Sequence, residues 1–587
     1  MQKKIIQLQS CPKNYTHDQD KACTPAETVQ KLQQRLRETG LDILKEVRRI
    51  DTGRLGIPVY FSVCGADAQA VIGSKNQMGK GSTPEQAKAS ACMELAERYS
   101  FFSFMQNSAN FAVGDYPSMV RQGFPVLEQQ ILLDSVHDGT LAPEIFDLLL
   151  KDLPMQWTWA TRLSDNSPIL VPFSWFYAIN EFNGPSAGNT LEEALLQGVS
   201  ELIERHVCAL VSQNRLITPA IDISSIRHPV ACQLLAQFAA QGIELYLNDF
   251  SLDTGIPTIA ALAWDPTTFP EKSEIVYTAG TTPDPVKSLI RALTEVAQLA
   301  GDFETGSHYM ASGLPKPSTL DAVAHVIHSD KTIALDDMIS LANEDMLVEI
   351  QGYLQAVQRM GSDIYLIDTT HSALRIPALY AILPGAHFRE RAMGGNGAMF
   401  AAKLASRLLF GQELVEKLAD MQKYVDNGYF LAFYQGKFAY EQGACQEAEH
   451  YFMEALSLSP NAEDIPYIYS YLGCCQRDLG RFDLAIEALL KGLEVDEERA
   501  DMHNTIGVCY YKKGQYEKAA DHFLRAVQLN PGSAIDHANL ALNLELTGRR
   551  EKAREEYQIA LSLDPAIAFA LERLDNLLQQ DKTVGGA

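Results

Sequence analysis

The sequence predicts two parts: an α+β domain over residues 24–400, and an all-α solenoid of helix pairs over residues 428–581. Three observations predict this. Strand-like runs rich in β-branched and aromatic residues alternate with helical runs as far as about residue 400. Beyond residue 428, glycines recur at Gly443, Gly480, Gly514 and Gly548, spaced 37, 34 and 34 residues apart. Within the first part, one helical signature occurs twice, with acids where a buried helix normally carries apolar side chains.

In chain order, residues 1–23 show no periodicity and are expected to be poorly ordered. Thr24, Pro25 and Glu27 then form a helix start, and the helix through KLQQRLRETG stops at Gly40. IPVYFSVCG reads as a strand. GKGSTPEQAKA follows, with Gly79, Lys80 and Gly81, Thr83 as N-cap, Pro84 in the first turn and Gln86 closing a capping box. The helix so started carries Ser90, Glu94, Glu97 and Arg98. SPILVPFSWFYAI is the next strand-like run, and SAGNTLEEA repeats the helix start, with Gly188, Thr190 as N-cap and Glu193 as the box acid. Its helix carries Gln197, Glu201, Glu204 and Arg205. Gly81 to Glu94 and Gly188 to Glu201 are both thirteen steps. A looser third copy, AGTTPDPVKSLIRALTEVAQ, has Gly280 ahead of a helix with Arg291 and Glu295 on one face.

Positions i, i+4 and i+7 share a helix face, so each full copy aligns two carboxylates behind a hydrogen-bonding side chain. E-x-x-E-R alone suits a solvated face, with the arginine as a local counter-charge. Two copies in register, each flanked by apolar residues, instead place the acids in the interior, where carboxylates must be paired, neutralised or bound to cations. A multi-cation site follows, and glycine turns leading into helix N-termini suit phosphate. Lys80 and Arg291 add positive charge. This is not a Walker motif: five residues rather than four separate Gly73 from Gly79–Lys80, and Gly81 stands where Ser or Thr belongs. The Gly394–Gly397 run serves a loop as well as a ligand. Asp368, Thr369, Thr370 and His371 close the strand SDIYLIDTT, with His371 read as a structural hydrogen-bonder.

These motifs, together with RIPALYAILPG around Pro384–Gly385, resemble the YcaO superfamily over roughly residues 20–395. The stand-alone bacterial members, which also end in helical repeats, are similar in having a lysine and, seven residues on, a hydroxyl, here Lys21 and Thr28. The resemblance implies an enzyme that uses ATP and Mg2+ to phosphorylate a peptide or protein backbone amide oxygen, leading to azoline, thioamide or methylthiolation-related modification. It further implies Glu94, Glu97, Glu201, Glu204 and Glu295 as metal-binding residues. Lys21, Thr28, Lys80, Ser90, Gln197, Arg215 and Arg291 would contact ATP. Two departures stand out: the chain ends LLQQDKTVGGA without proline, and it has no Cys-x-x-Cys for a zinc-bearing partner module. A non-catalytic, nucleotide-regulated scaffold is the alternative. A carboxylate-bridged hydrolase fits less well, because these motifs offer no histidine ligands.

Residues 401–427, including AAKLASRLLFGQELVEKLADMQ, read as a helical linker. The repeats then have the period of tetratricopeptide repeats. Gly507, Tyr510, Gly514, Ala519, Phe523, Ala526 and Pro531 mark a complete unit. Gly436 to Pro460 and Gly548 to Pro565 follow the same pattern, a degenerate copy lies around Gly473 and Ala485, and FALERLDNLLQQ caps the stack. Such a solenoid offers a surface for a protein substrate, a partner protein or a homodimer.

The 587 residues carry a net charge of −25, which opposes general nucleic-acid binding. No segment resembles a membrane span or a secretory leader, so a cytoplasmic protein with reduced cysteines is expected. Cys92, inside the first acidic helix, is read as core.

Overall fold

The computed structural model describes residues 3–73, 76–304, 309, 314–388, 396–426 and 428–584. The chain divides into two compact units, Met1–Gly397 and Ala398–Ala587.

Three sheets build the first unit among the described residues. One is antiparallel, with β1 (Leu44–Arg49), β2 (Val59–Cys64) and β3 (Gln77–Lys80) in that order. A second contains β4 (Ala112–Gly114), β5 (Met155–Arg162), β6 (Pro168–Pro172), β7 (Pro185–Ala187), β13 (Tyr365–Asp368) and β14 (Ala378–Ile382), in the order β4-β5-β13-β14-β7 with β6 also on β5. The third holds β8 (Ala220–Ile221), β9 (Glu244–Asp249), β10 (Thr258–Trp264), β11 (Val276–Thr281) and β12 (Thr332–Ile333), ordered β11-β10-β9-β8-β12. Strands β3, β7 and β11 each end their sheet, and each runs directly into a long helix: Pro84–Gln106, Leu191–Asn214 and Pro285–Ala300.

These helices are apolar almost all round because sheet and helices enclose them. In the second, Leu195, Val199, Leu202, Ile203 and Val207 are fully buried. Leu289, Ile290, Leu293 and Val296 of the third pack on Ile259, Ala261 and Val276. The N-caps are the expected ones, but of the three expected capping boxes only the first forms; Gln86 and Glu193 do not reach back to their caps. Thr24 and Glu27 close a reciprocal capping box at Pro25–Thr39, which ends on left-handed Gly40, and Thr83 and Thr190 accept the Gln86 and Glu193 amides.

The N-terminal segment departs from expectation. Met1 and Gln2 lie outside the described residues, but residues 3–23 are seated, not loose. Ile6 is buried and donates its N–H to Thr161 Oγ1 at 2.9 Å; Gln9 N–H donates to Glu192 at 2.8 Å. Asp18 is fully buried and accepts from Ser82 N–H and Oγ–H at 3.1 and 2.6 Å. Lys13, with 5% of its side chain exposed, bridges Asp20 at 2.6 Å and Glu349 at 2.5 Å. Burial would push this ammonium down, but its bonds to Asp20 and Glu349 outweigh that and hold it above its ordinary range. The anchors are polar and up to 336 residues apart in sequence, so no local periodicity announces them.

The second unit is a stack of helix pairs: Tyr429–Glu441 with Cys445–Ser457, Ile465–Asp478 with Phe482–Leu493, Ala500–Lys512 with Tyr516–Leu529, and Ala534–Leu546 with Arg550–Leu563, then Ala568–Val584. Residues 401–427, expected to form a linker, contribute to the helices Gly397–Leu408 and Gly411–Met421, which lie almost wholly in this unit. Phe452, Phe523 and Tyr557 are buried between paired helices, and a Cβ on Gly507 would come within 2.9 Å of the Phe523 ring. Among the described residues, no helix is long and apolar enough to cross a membrane.

Equivalent positions of two repeats hold opposite acid–base devices. His503 Nδ1 and His522 Nδ1 lie 3.1 Å apart, and burial pushes His503 down to about 4 and His522 down as well. One repeat on, His537 Nδ1 meets Glu556 at 2.6 Å, a bond that raises His537 against its burial. A histidine with a depressed folded pKa stays neutral in the fold while the unfolded chain protonates, so its contribution is lost as pH falls from about 6.5 towards 4. His537 behaves oppositely, contributing below the unfolded value and losing that contribution as pH rises through its folded pKa. Comparing thermal unfolding of the full chain and His522→Gln at pH 7 and pH 5 should show a smaller loss on acidification in the variant. An unchanged difference would discount the His503–His522 pair.

Candidate active site

The three strand–helix joints repeat one close approach. A Cβ on Gly79 would lie 2.0 Å from the Ala91 amide nitrogen, and one on Gly280 would lie 2.7 Å from that of Ala292. In the middle unit the glycine is on the helix: a Cβ on Gly198 would lie 2.7 Å from Ser186 Oγ. In each case strand and helix partners are twelve residues apart. One residue before the helix contact come Ser90, Gln197 and Arg291; three after it come Glu94, Glu201 and Glu295; six after it come Glu97, Glu204 and Gln298. The third copy is therefore in full register, with Gly280 equivalent to Gly79 rather than to Gly81.

The polar positions interlock. Glu97 and Glu204 are buried, and Glu94 and Glu201 are half-buried. Arg98 donates to Glu94 at 3.0 and 3.1 Å and approaches Glu97 at 3.6 Å. Arg205 lies 3.5 Å from Glu201 and 3.3 Å from Glu204 and donates to Asn183 Oδ1 at 3.2 Å; Gly184 N–H donates to Glu201 at 3.2 Å. Arg291 donates to Gln197 Oε1 at 2.9 Å, and its Nε lies 3.7 Å from Glu204 Oε2. Lys80, at the end of β3, pairs with Glu295. Five carboxylates on three helices thus face four cations, three on the same helices and Lys80 on β3.

Burial, with Glu94 and Glu201 adding to it, pushes the Glu97 carboxyl well above the usual range, despite Arg98. Burial opposes the charges of Arg98 and Arg205, but neighbouring acids, Glu94 and Glu97 in one case and Glu204 and Glu201 in the other, raise both. Burial and the Arg291 guanidinium bring the Lys80 ammonium down to about 7. Two buried polar atoms at the centre, Glu204 Oε2 and Arg291 Nε, have no hydrogen-bond partner.

A family model described as YcaO cyclodehydratase, ATP- and Mg2+-binding, matches residues 78–387. The chain belongs to the YcaO family. A tetratricopeptide-repeat model matches residues 472–534. An uncharacterised protein of Methanothermobacter thermautotrophicus is 28% identical over 385 residues, covering 62% of this chain and 94% of that protein. The ribosomal protein S12 methylthiotransferase accessory factor YcaO of Escherichia coli is 28% identical over 305 residues, 47% of this chain and 48% of its own. A heterocyclase solved in complex with substrate and cofactor shares the fold with a TM-score of 0.53 at 23% identity, covering 66% of this chain and 55% of that one. The chain thus spans about half the length of the last two.

Within this YcaO domain the donor set suits magnesium held between protein and phosphate. Among the described residues, no three acidic, histidine or cysteine side chains converge to cage a metal ion alone. Magnesium, however, keeps waters and takes one or two carboxylates plus phosphate oxygens. Glu204 Oε2, without a hydrogen bond, is a carboxylate atom of the right kind, and Arg291 Nε, 3.7 Å from it, is a donor without a hydrogen-bond acceptor.

The remaining expected contacts divide. Gln197 and Lys21 line one cavity with Glu193, Ser200, Thr281 and Glu349. Lys21 lies 3.6 Å from Glu193, whose carboxylate also accepts from Ala22 N–H at 2.9 Å and from Asn189 Nδ2 at 3.2 Å. Glu193 was expected to serve as a capping-box acid; its carboxylate instead holds the N-terminal segment. Thr28 is buried and donates to Thr24 O and Asn189 Oδ1 at 3.0 and 3.2 Å. Arg215 is not brought into the cluster. It caps the end of the second acidic helix, exposed, donates to Ala322 O at 3.2 Å, and lies roughly 16 Å along the helix from Glu204. His371 takes the Leu374 N–H at 3.2 Å, a structural bond. Cys92 is fully buried, and burial pushes its thiol up to about 12. Gly394 and Gly395 lie outside the described residues. Two neighbours of the acids escaped the sequence reading: Asn183, and His206, which accepts His387 N–H at 3.0 Å and ties the segment after Pro384–Gly385 to the second acidic helix.

Proposed function

We propose that this YcaO domain binds Mg-ATP along the acid-bearing helices and transfers the γ-phosphoryl group to a backbone amide oxygen of a peptide or protein. ADP leaves, a nucleophile adds to the activated carbon, and phosphate departs with the original oxygen. With sulfide as the nucleophile the product is a thioamide, and with a neighbouring Cys, Ser or Thr side chain it is an azoline; a methylthiolation-related modification would be assisted by this activity and completed by another enzyme. The observation that carries this reading is the recurrence of carboxylates at equivalent depths of three helices, faced by Lys80, Arg98, Arg205 and Arg291, with a buried Glu204 oxygen and a buried Arg291 donor that both lack a hydrogen-bond partner.

Phosphoryl transfer depends on positioning and charge compensation, which is what these side chains supply. Glu94, Glu97, Glu201 and Glu204 would hold magnesium, one or two carboxylates to each ion, assisted by Glu295. When bound, the ion neutralises phosphate oxygens and fixes their direction. Arg291 adds positive charge toward the phosphates, Lys80 adds to it when protonated, and Ser90 and Gln197, one turn nearer the helix N-termini, face the nucleotide. Lys21 reaches the same cavity from the N-terminal segment. The repeats supply a docking surface for a second protein, in the simplest case another copy of this chain.

Calorimetric titration with ATP, with and without magnesium, should show magnesium-dependent binding, with slow phosphate release in the same samples. Binding without release, persisting when peptide is supplied, would favour a nucleotide-regulated scaffold. Absence of binding would overturn the nucleotide assignment.

A further inference from the structure

On the other side of Asn189 from the Lys21–Gln197 cavity lies a second pocket, of about 280 Å³, near the lower end of small-ligand sites. Its walls are the N-terminal helix, Met93 of the first acidic helix, the Gly188–Asn189 turn and the Arg375–Pro377 loop. The two cavities share a wall: Asn189 bonds Glu193 on one side and Thr28 on the other. Met93 is the residue before Glu94, so the pocket adjoins the acid cluster through the body of one helix.

Its electrostatics run against the rest of the molecule. The chain carries a net charge of −25, yet Lys31, Arg35 and Arg375 border this pocket and no lining residue is acidic. Acids stand only outside the lining: Glu38, 2.8 Å from Arg35, also acts on Arg375, and Glu27 acts on Lys31. Arg375 is held with φ of +52°, in the left-handed region that non-glycine residues rarely adopt, by its N–H bond to His371 O at 2.9 Å. Gln34 and Asn189 add neutral polar groups, and Met93 and Ile376 an apolar floor. Two guanidinium forks and an ammonium beside an apolar floor are the equipment for a carboxylate on a short aliphatic stem.

We propose that this pocket binds a carboxylate of the peptide being modified, so that the preferred substrate carries an acidic residue or its own C-terminus near the activated amide. The choice of a peptide rests on the reading of the acid cluster given above; the carboxylate preference rests on the pocket alone. A carboxylate held here would keep the neighbouring chain beside Met93 and Glu94, limiting which amides can reach the cluster.

The test uses the intact chain and short capped peptides in calorimetry: one with two central glutamates, one with lysines in their place, and a neutral one with a free C-terminal carboxylate. The glutamate peptide should bind and the lysine peptide should not. Arg35→Gln and Arg375→Gln should each weaken binding at least about tenfold, and the double variant more, with Mg-ATP affinity unchanged. Binding of the neutral free-acid peptide but not the capped glutamate peptide would assign the pocket to a C-terminus, and the reverse to an acidic side chain. The proposal is overturned if no carboxylate peptide binds at about 1 mM, if acidic and basic peptides bind alike, if both arginine variants bind as the parent does, or if Mg-ATP displaces the peptide competitively. Failure of the parent to bind Mg-ATP would sink the nucleotide reading without touching these peptide results.

Discussion

Glu204→Gln should weaken magnesium-dependent ATP binding at least about 100-fold, a loss of about 2.7 kcal/mol, while leaving the protein folded. Glu204 is buried in the second acidic helix, and its Oε2 is the unpartnered oxygen that faces Arg291 at 3.7 Å. Glutamine keeps the volume and one acceptor but removes the charge on which a hard cation depends. The fold tolerates the change because Arg205 retains Glu201 and Arg291 retains Gln197. Calorimetry with and without magnesium reads the first effect and circular dichroism the second. Arg215→Ala is the contrast: with Arg215 bonded to Ala322 O away from the acids, it should leave the affinity within about threefold of the parent. Parent-like Mg-ATP binding by Glu204→Gln would place the site elsewhere.

Lys13→Met should be the most damaging change outside the acid cluster. It leaves Glu349, which is 1% exposed, without its cation, and burial already pushes that carboxyl up to about 7. Breaking one side of a buried ion pair costs about 3–5 kcal/mol, because the remaining carboxyl must either stay charged and desolvated or take up a proton. The cost should appear as release of residues 3–22, read as faster proteolysis of that segment, and as weaker ATP binding, since Lys21 and Ala22 lose their hold on Glu193. Lys13→Met combined with Glu349→Leu should recover much of the loss, since an apolar pair of similar size avoids the stranded charge. A double variant as damaged as the single one would show that the ion pair is not the anchor.

What could be read from the sequence was what short-range pattern encodes. The acids, their helix face, the Thr24, Thr83 and Thr190 starts and the 34-residue repeat all depend on residues within a few turns of one another, and the structure has them as expected. Glu193 was misassigned because its position fits a capping box, and only the folded chain brings Ala22 and Lys21 within its reach. The N-terminal segment was misjudged for the same reason. Lys13, Asp18 and Gln9 find partners in Glu349, Ser82 and Glu192, far along the chain, and an anchoring ion pair leaves no trace in hydropathy. Arg215, expected from the family resemblance to contact ATP, follows the second acidic helix, whose end lies ten residues beyond Glu204. The third copy was legible only as a loose relative because its glycine matches Gly79 while the middle unit has moved its glycine onto the helix.

That shifted glycine bears on ancestry. Gly79 against Ala91, Ser186 against Gly198 and Gly280 against Ala292 are one contact solved three times, with the missing Cβ on the strand twice and on the helix once. Duplication of a single edge-strand-and-helix segment, followed by divergence, would leave this pattern, with the spacing kept and the residue providing it on either side. The last copy has kept the first two polar positions as Arg291 and Glu295 and has Gln298 where the others keep an acid. The centre is therefore built from three equivalent parts, and it has five carboxylates rather than six because Gln298 takes the last place.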